Sequence, residues 1–140
     1  MPHRSYYIPF AQEDVIGLRY GIQDRTTSSR FVSLDGQWQI RQLQHVEDFD
    51  VHEELDGVIP VPACVQMHGY DRIQYINARY PIPYTPPYTP YENPCWHYRR
   101  SFHLSKQIGE KYYLNFEGVD SAFYLYINGT FKGYSQISHA

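Results

Sequence analysis

Four groups of side chains in this 140-residue chain are of types that do chemistry. Glu47, Asp48, Asp50, Glu53, Glu54 and Asp56 crowd one short stretch, and a pair of carboxyl groups is the usual equipment for acid and base work. A dense run of like charges is, however, the pattern of a solvated face. Cys64-x3-His68 and Cys95-x-His97 together offer sulfur and nitrogen donors for a tetrahedral zinc. Neither half has the C-x2-4-C or H-x3-5-H spacing of such a site, so packed or surface residues are expected, with no metal. Tyr84, Tyr88 and Tyr91 lie in a proline-rich stretch and could stack on ring-shaped ligands, but a stiff loop bracing a neighbouring surface is the expected reading, because polyproline II stiffness suits spacers. Asn77, in QYINARYP, carries an amide that both donates and accepts. An Asn in a loop most often bonds its own backbone.

Composition narrows what these groups can serve. The hydrophobic fraction is 42%, the aromatic fraction 17%, and Tyr supplies 15 residues, enough apolar surface for one folded domain but not for two independent cores. A net charge of -3 and a pI near 6.1 give no reason to expect nucleic acid. The opening MPHRSYYIPF lacks the apolar core of a signal peptide, and no run is long enough to span a bilayer. A cytoplasmic protein without a membrane partner is expected. Two cysteines 31 positions apart do not make a disulfide framework, so free thiols are expected.

The elements that must position these groups read as β-structure. Residues 1–30 show no stable period and read as an extended arm; the domain proper is expected over 31–140. In FVSLDGQWQI, Leu34, Trp38 and Ile40 share one parity while Gln37, Gln39 and Arg41 take the other, as in a half-buried strand. The acidic stretch 44–57 reads as a solvated connection with one short helical turn. VIPVP follows, and its alternating prolines place it at a sheet edge. Residues 81–94 hold most of the ten prolines and read as a polyproline II surface loop. Three further strand signals follow: WHYRRSFHL, KYYLNFEGV, and SAFYLYINGTFKGYSQI folded back on itself. Asn128-Gly129 between alternating apolar runs predicts a type I′ hairpin, which also explains the formal glycosylation pattern Asn128-Gly129-Thr130. Several short strands with no convincing helix predict an all-β antiparallel sandwich.

VPACVQMHGYDRIQYINARYPIPYTPPYTPYENPCWHYRRSF and FEGVDSAFYLYINGTFKGYSQIS, preceded by SLDGQW, resemble the N-terminal sugar-binding jelly-roll domain of family 2 glycoside hydrolases, most closely its β-galactosidase branch. The blocks keep their order over about residues 33–138, and Gln-x-x-Gly-Tyr-Asp and Asn-x-x-Tyr-Pro carry most of the specificity. Val65 departs from the pattern, where many relatives have Trp. The resemblance implies a jelly-roll sandwich, incomplete at its C-terminal end, that packs on a catalytic (β/α)8 barrel lying outside these 140 residues. It also implies a parent that is a retaining β-galactosidase and a homo-oligomer. Asn77 matches the family's sugar-contacting Asn, so it is the one substrate-binding residue expected here, with no catalytic or metal residue.

Retaining hydrolysis needs two carboxyl groups roughly 5 Å apart, and the resemblance places both in the barrel, along with the magnesium and sodium expected in the longer protein. The 140 residues alone are therefore expected to be inactive and to bind no cofactor. The same strand framework occurs in β-glucuronidases and β-mannosidases. A free-standing carbohydrate-binding module and a proline-rich interaction domain are the alternatives from other classes.

Overall fold

The computed structural model describes residues 10–11, 25–73, 85–88, 90 and 93–136. Five strands are present among them: β1 Gly36–Leu43, β2 Gly57–Val61, β3 Cys95–Arg99, β4 Phe123–Ile127 and β5 Thr130–Ser135. They form two antiparallel sheets, β2-β1-β3 and β4-β5, as an all-β sandwich domain requires. The helical content of the described residues is confined to 3-10 turns at Arg25–Thr27, Val46–Asp48 and Val65–His68.

The parity read from β1 is the parity that folds. Ile40 has no exposed surface and pairs with Gly57 and Tyr98, while Trp38 pairs with Ile59, which is also fully covered. Burying each isoleucine contributes about 2–3 kcal/mol. The opposite face of the same sheet carries Arg41, paired with His97, and Gln39, paired with Arg99. One face is therefore apolar, while the other carries Arg41, His97 and Arg99 beside the buried Leu43, because side chains alternate along a strand.

β2 is at the edge of its sheet, as its prolines require, since Pro60 has no N–H to donate to a second neighbour. β4 and β5 meet at Asn128 (φ 50°) and Gly129 (φ 76°), the two positive φ values that the Asn-Gly pair predicted. A register shift at Leu125/Tyr126 bends this ribbon. The hairpin meets the 44–56 connection, where the Phe49 and Tyr126 rings are 4.9 Å apart and a Val51 methyl lies beside Gly129, and it also meets Phe116 through Phe123.

Three expectations are corrected. Residues 111–119 form no strand, although the predicted alternation survives: Tyr112, Leu114 and Phe116 are 42–44% exposed and Tyr113 is 81% exposed. Parity reports which side of a segment is covered. A strand also needs a neighbouring backbone to satisfy its N–H and C=O groups. Strand β3 stops at Arg99, so only the first half of WHYRRSFHL is ladder. At Thr85–Tyr88 the chain does not continue as extended polyproline II. It turns, with the Tyr88 N–H donating to the Thr85 carbonyl at 2.9 Å.

Candidate functional site

Asn77, Tyr84 and Tyr91 lie outside the described residues, while Tyr88 is exposed. What the structure defines is the stretch that delivers the chain to Asn77. It begins after β2, at Cys64, whose extended backbone leads into the 3-10 turn Val65–His68. The turn is closed by Met67 N–H to the Cys64 carbonyl at 3.0 Å and by Tyr70 N–H to the Val65 carbonyl at 3.2 Å. Gly69 ends it in the left-handed region at φ 80°, a conformation that costs glycine nothing.

Each residue type of the Gln-x-x-Gly-Tyr-Asp element has a partner here. The Gln66 amide accepts from the Cys64 thiol at 2.7 Å and donates to the Asp71 carboxylate at 3.3 Å. The second Asp71 oxygen accepts from the Arg72 N–H at 2.7 Å. The Tyr70 carbonyl accepts from the Trp96 indole N–H at 3.4 Å, which ties this stretch to β3. The Tyr70 hydroxyl lies where a Cβ on Gly57 would be, with the Ile40 side chain and carbonyl closing the same space. Any side chain at position 57 would displace Tyr70. Sequence reading left Gly57 at the end of the solvated connection 44–57, whereas it opens β2 and permits close approach there, one of the standard uses of a strand glycine. Burial pushes the Tyr98 phenol above its ordinary pKa, with Cys64 and Tyr70 adding to the effect.

The charged face of the sheet holds a second cluster. Glu53 meets His97 Nδ1 at 2.6 Å through one oxygen and Arg41 at 3.4 Å through the other. The Glu53 and His97 side chains are 11% and 8% exposed. Arg99 donates to the Val51 and Glu53 carbonyls, both at 2.9 Å. The Phe49 ring packs edge-on against His97 at 4.8 Å.

Glu53 therefore departs from the solvated face expected of the acidic run, because Arg41 of β1 and Arg99 of β3 donate to the backbone around it while His97 meets its carboxylate. Two other members of the run also have local partners. Asp48 accepts from the His45 N–H at 3.0 Å, and Asp50 from the His52 N–H at 2.9 Å. This arrangement pins a connection to a sheet and offers no opposed pair of carboxyl groups. Sequence reading missed Glu53 because a run of acids hides the one whose carboxylate meets side chains of the sheet.

Cys64 and Cys95 are free thiols, the first exposed and the second partly covered. Burial raises the Cys95 pKa, and the carboxylates of Asp48, Glu47 and Glu53 add to the shift. Among the described residues no three His, Cys, Asp or Glu side chains group as metal ligands. No helix among the described residues is long and apolar enough to cross a membrane.

Comparison with known proteins agrees with this frame. The family described as "Glycosyl hydrolases family 2, sugar binding domain" matches residues 31–140. A protein named β-galactosidase from Staphylococcus xylosus is 42% identical over the whole chain, and one of the same name from Actinobacillus pleuropneumoniae is 40% identical over 98% of it. A third, from Vibrio cholerae, is 41% identical over 76% of the chain. The chain spans only 14%, 13% and 11% of the length of these relatives.

Proposed function

The chain belongs to the sugar-binding domain family of the family 2 glycosyl hydrolases, and from that premise we propose that it is the N-terminal sugar-binding domain of a retaining β-galactosidase. The observation that carries this is the likeness to proteins named β-galactosidase over the full length of the chain, at 40–42% identity. In this role the domain supplies Asn77 to a galactose pocket whose catalytic carboxyl groups come from the rest of a longer protein. The Asn amide suits a sugar hydroxyl, which donates and accepts at once. On this reading the 140 residues alone are inactive; the partners of Glu53, Asp48 and Asp50, which are His97 and backbone N–H groups, support it. The enzyme is cytoplasmic and homo-oligomeric, and has no nucleic-acid or membrane partner.

The test is the substitution Asn77→Ala in the longer protein, with kcat/KM measured on β-galactosides, β-glucuronides and β-mannosides. Activity confined to β-galactosides, and reduced about tenfold or more by loss of a hydrogen bond made to the sugar, is expected. A preference for one of the other sugars would reassign the substrate. An unchanged kcat/KM would remove Asn77 from the pocket.

A further inference from the structure

We propose that Asn128 is a site of spontaneous modification: its side-chain amide closes onto the Gly129 backbone nitrogen, and the turn of the β4-β5 hairpin ages to aspartate and isoaspartate. The chain has four Asn residues, Asn77, Asn93, Asn115 and Asn128, and only Asn128 is followed by Gly. The reaction brings the backbone nitrogen of the next residue onto the side-chain carbonyl carbon, and a side chain on that next residue obstructs the approach. Gly129 has none, and the space beside it is open: a Cβ there would meet nothing nearer than the Val51 methyl at 3.9 Å.

The turn also leaves the reacting groups free. Asn128 and Gly129 are both exposed, and the Asn128 amide has no hydrogen-bond partner among the described residues. In a two-residue hairpin loop the ladder bonds belong to the flanking pair, here Ile127 and Thr130, so they do not hold the Gly129 N–H. Asn115 is the contrast. Its amide donates to the Glu117 carboxylate, and Phe116 follows it.

The step needs only the chain and water. The Gly129 nitrogen loses its proton and bonds to the Asn128 Cγ, and the side-chain nitrogen leaves as ammonia, giving a cyclic imide. Water then opens the ring at either carbonyl. One opening leaves aspartate at position 128. The other leaves isoaspartate, which routes the backbone through the former side chain and lengthens it by a methylene. A two-residue loop has no slack for a longer backbone. The product also puts a carboxylate beside Val51, on the ribbon whose Tyr126 meets Phe49. Isoaspartate at this turn therefore loosens the hairpin from the 44–56 connection.

The experiment incubates the longer protein, folded, in mildly alkaline buffer. Mass spectrometry follows the Asn128 and Asn115 peptides, and hydrogen exchange follows the Ile127 and Thr130 amides. The Asn128 peptide should gain the mass that separates NH2 from OH about tenfold faster than the Asn115 peptide, because glycine lets the backbone reach geometries closed to phenylalanine. Exchange at Ile127 and Thr130 should speed up about tenfold in the isoaspartate form, as expected of a ladder that opens locally. Asn128→Gly keeps a left-handed turn but cannot form the imide, so after the same incubation it should gain no mass there and hold its exchange rates.

No gain at Asn128, or a gain only after unfolding in urea, would mean that the turn keeps the amide from the Gly129 nitrogen and would overturn the proposal. So would equal rates at Asn128 and Asn115. Modification with unchanged exchange would overturn the claim that the hairpin loosens. Should Asn128→Gly fail to fold, the rates at Asn128 and Asn115 decide alone.

Discussion

The three-stranded sheet and the β4-β5 hairpin are built from the same kind of alternating sequence, yet they use it in opposite ways. In β2-β1-β3 the apolar side is closed by the chain itself, with Ile40 and Ile59 fully covered. The polar side is closed by a connection whose Glu53 is paired with His97 and Arg41. In the hairpin, Tyr124, Tyr126, Phe131 and Tyr134 share one face, their ring centroids 4.9–6.3 Å apart, and remain 37–54% exposed. On the opposite face of the hairpin Phe116 meets Phe123 at 4.9 Å from a segment that belongs to no strand. One region completes its own core. The other turns an aromatic face outward, of the kind that contact surfaces are made from. A domain that works as one wall of a larger site has reason to contain both.

Substitutions should separate the two regions by size of effect, measured by urea unfolding of the chain. Ile59→Ala removes a fully covered side chain beside Trp38 of β1 and should cost about 3–4 kcal/mol. A loss under about 1 kcal/mol there would mean that this sheet is no better closed than the hairpin. Glu53→Gln keeps the shape but takes the charge from His97 and Arg41, and should cost about 2 kcal/mol. Were it neutral, the connection would be held by packing alone.

Cys95 sharpens the comparison through pH. Its pKa is raised, chiefly by burial, so the fold favours the neutral thiol. The stability linked to it is complete below the ordinary thiol pKa and is lost as pH rises from there through the raised folded value. Iodoacetamide at pH 8 should therefore modify exposed Cys64 about tenfold faster than Cys95. Equal rates by mass spectrometry would show that the sheet does not protect its own edge. The smallest effect belongs to Phe131→Ser, which should cost about 1 kcal/mol, because this ring is 52% exposed and keeps only its contacts with Tyr124 and Tyr126. A cost near that of Ile59→Ala would erase the distinction.

These regions also mark what sequence makes legible. The parity of β1 and the Asn128-Gly129 turn are local properties, set by side-chain alternation and by the backbone freedom of two residues, and both fold as read. Tyr112, Leu114 and Phe116 show the limit. Their parity is visible in the sequence, but a strand depends on a neighbour that the segment's own residues do not specify. Gly57 and Glu53 were hidden for a different reason. The partner of each lies far along the chain, Tyr70 for the glycine and His97 for the acid, and nothing in the local composition singles out either residue. The Gln-x-x-Gly-Tyr-Asp element was visible as a pattern, and the structure supplies its physical content: a turn closed by Gln66 and Asp71 and seated by Tyr70 on Gly57.

The central claim is that this chain contributes to a galactose pocket without forming one, and it can be tested on the chain as it stands. Titrating the 140-residue chain with lactose, followed by NMR, should show no saturable shift up to millimolar sugar, since one amide cannot hold a hydrated disaccharide against the cost of binding. Saturable binding at micromolar lactose would contradict the claim and make the chain a carbohydrate-binding module in its own right.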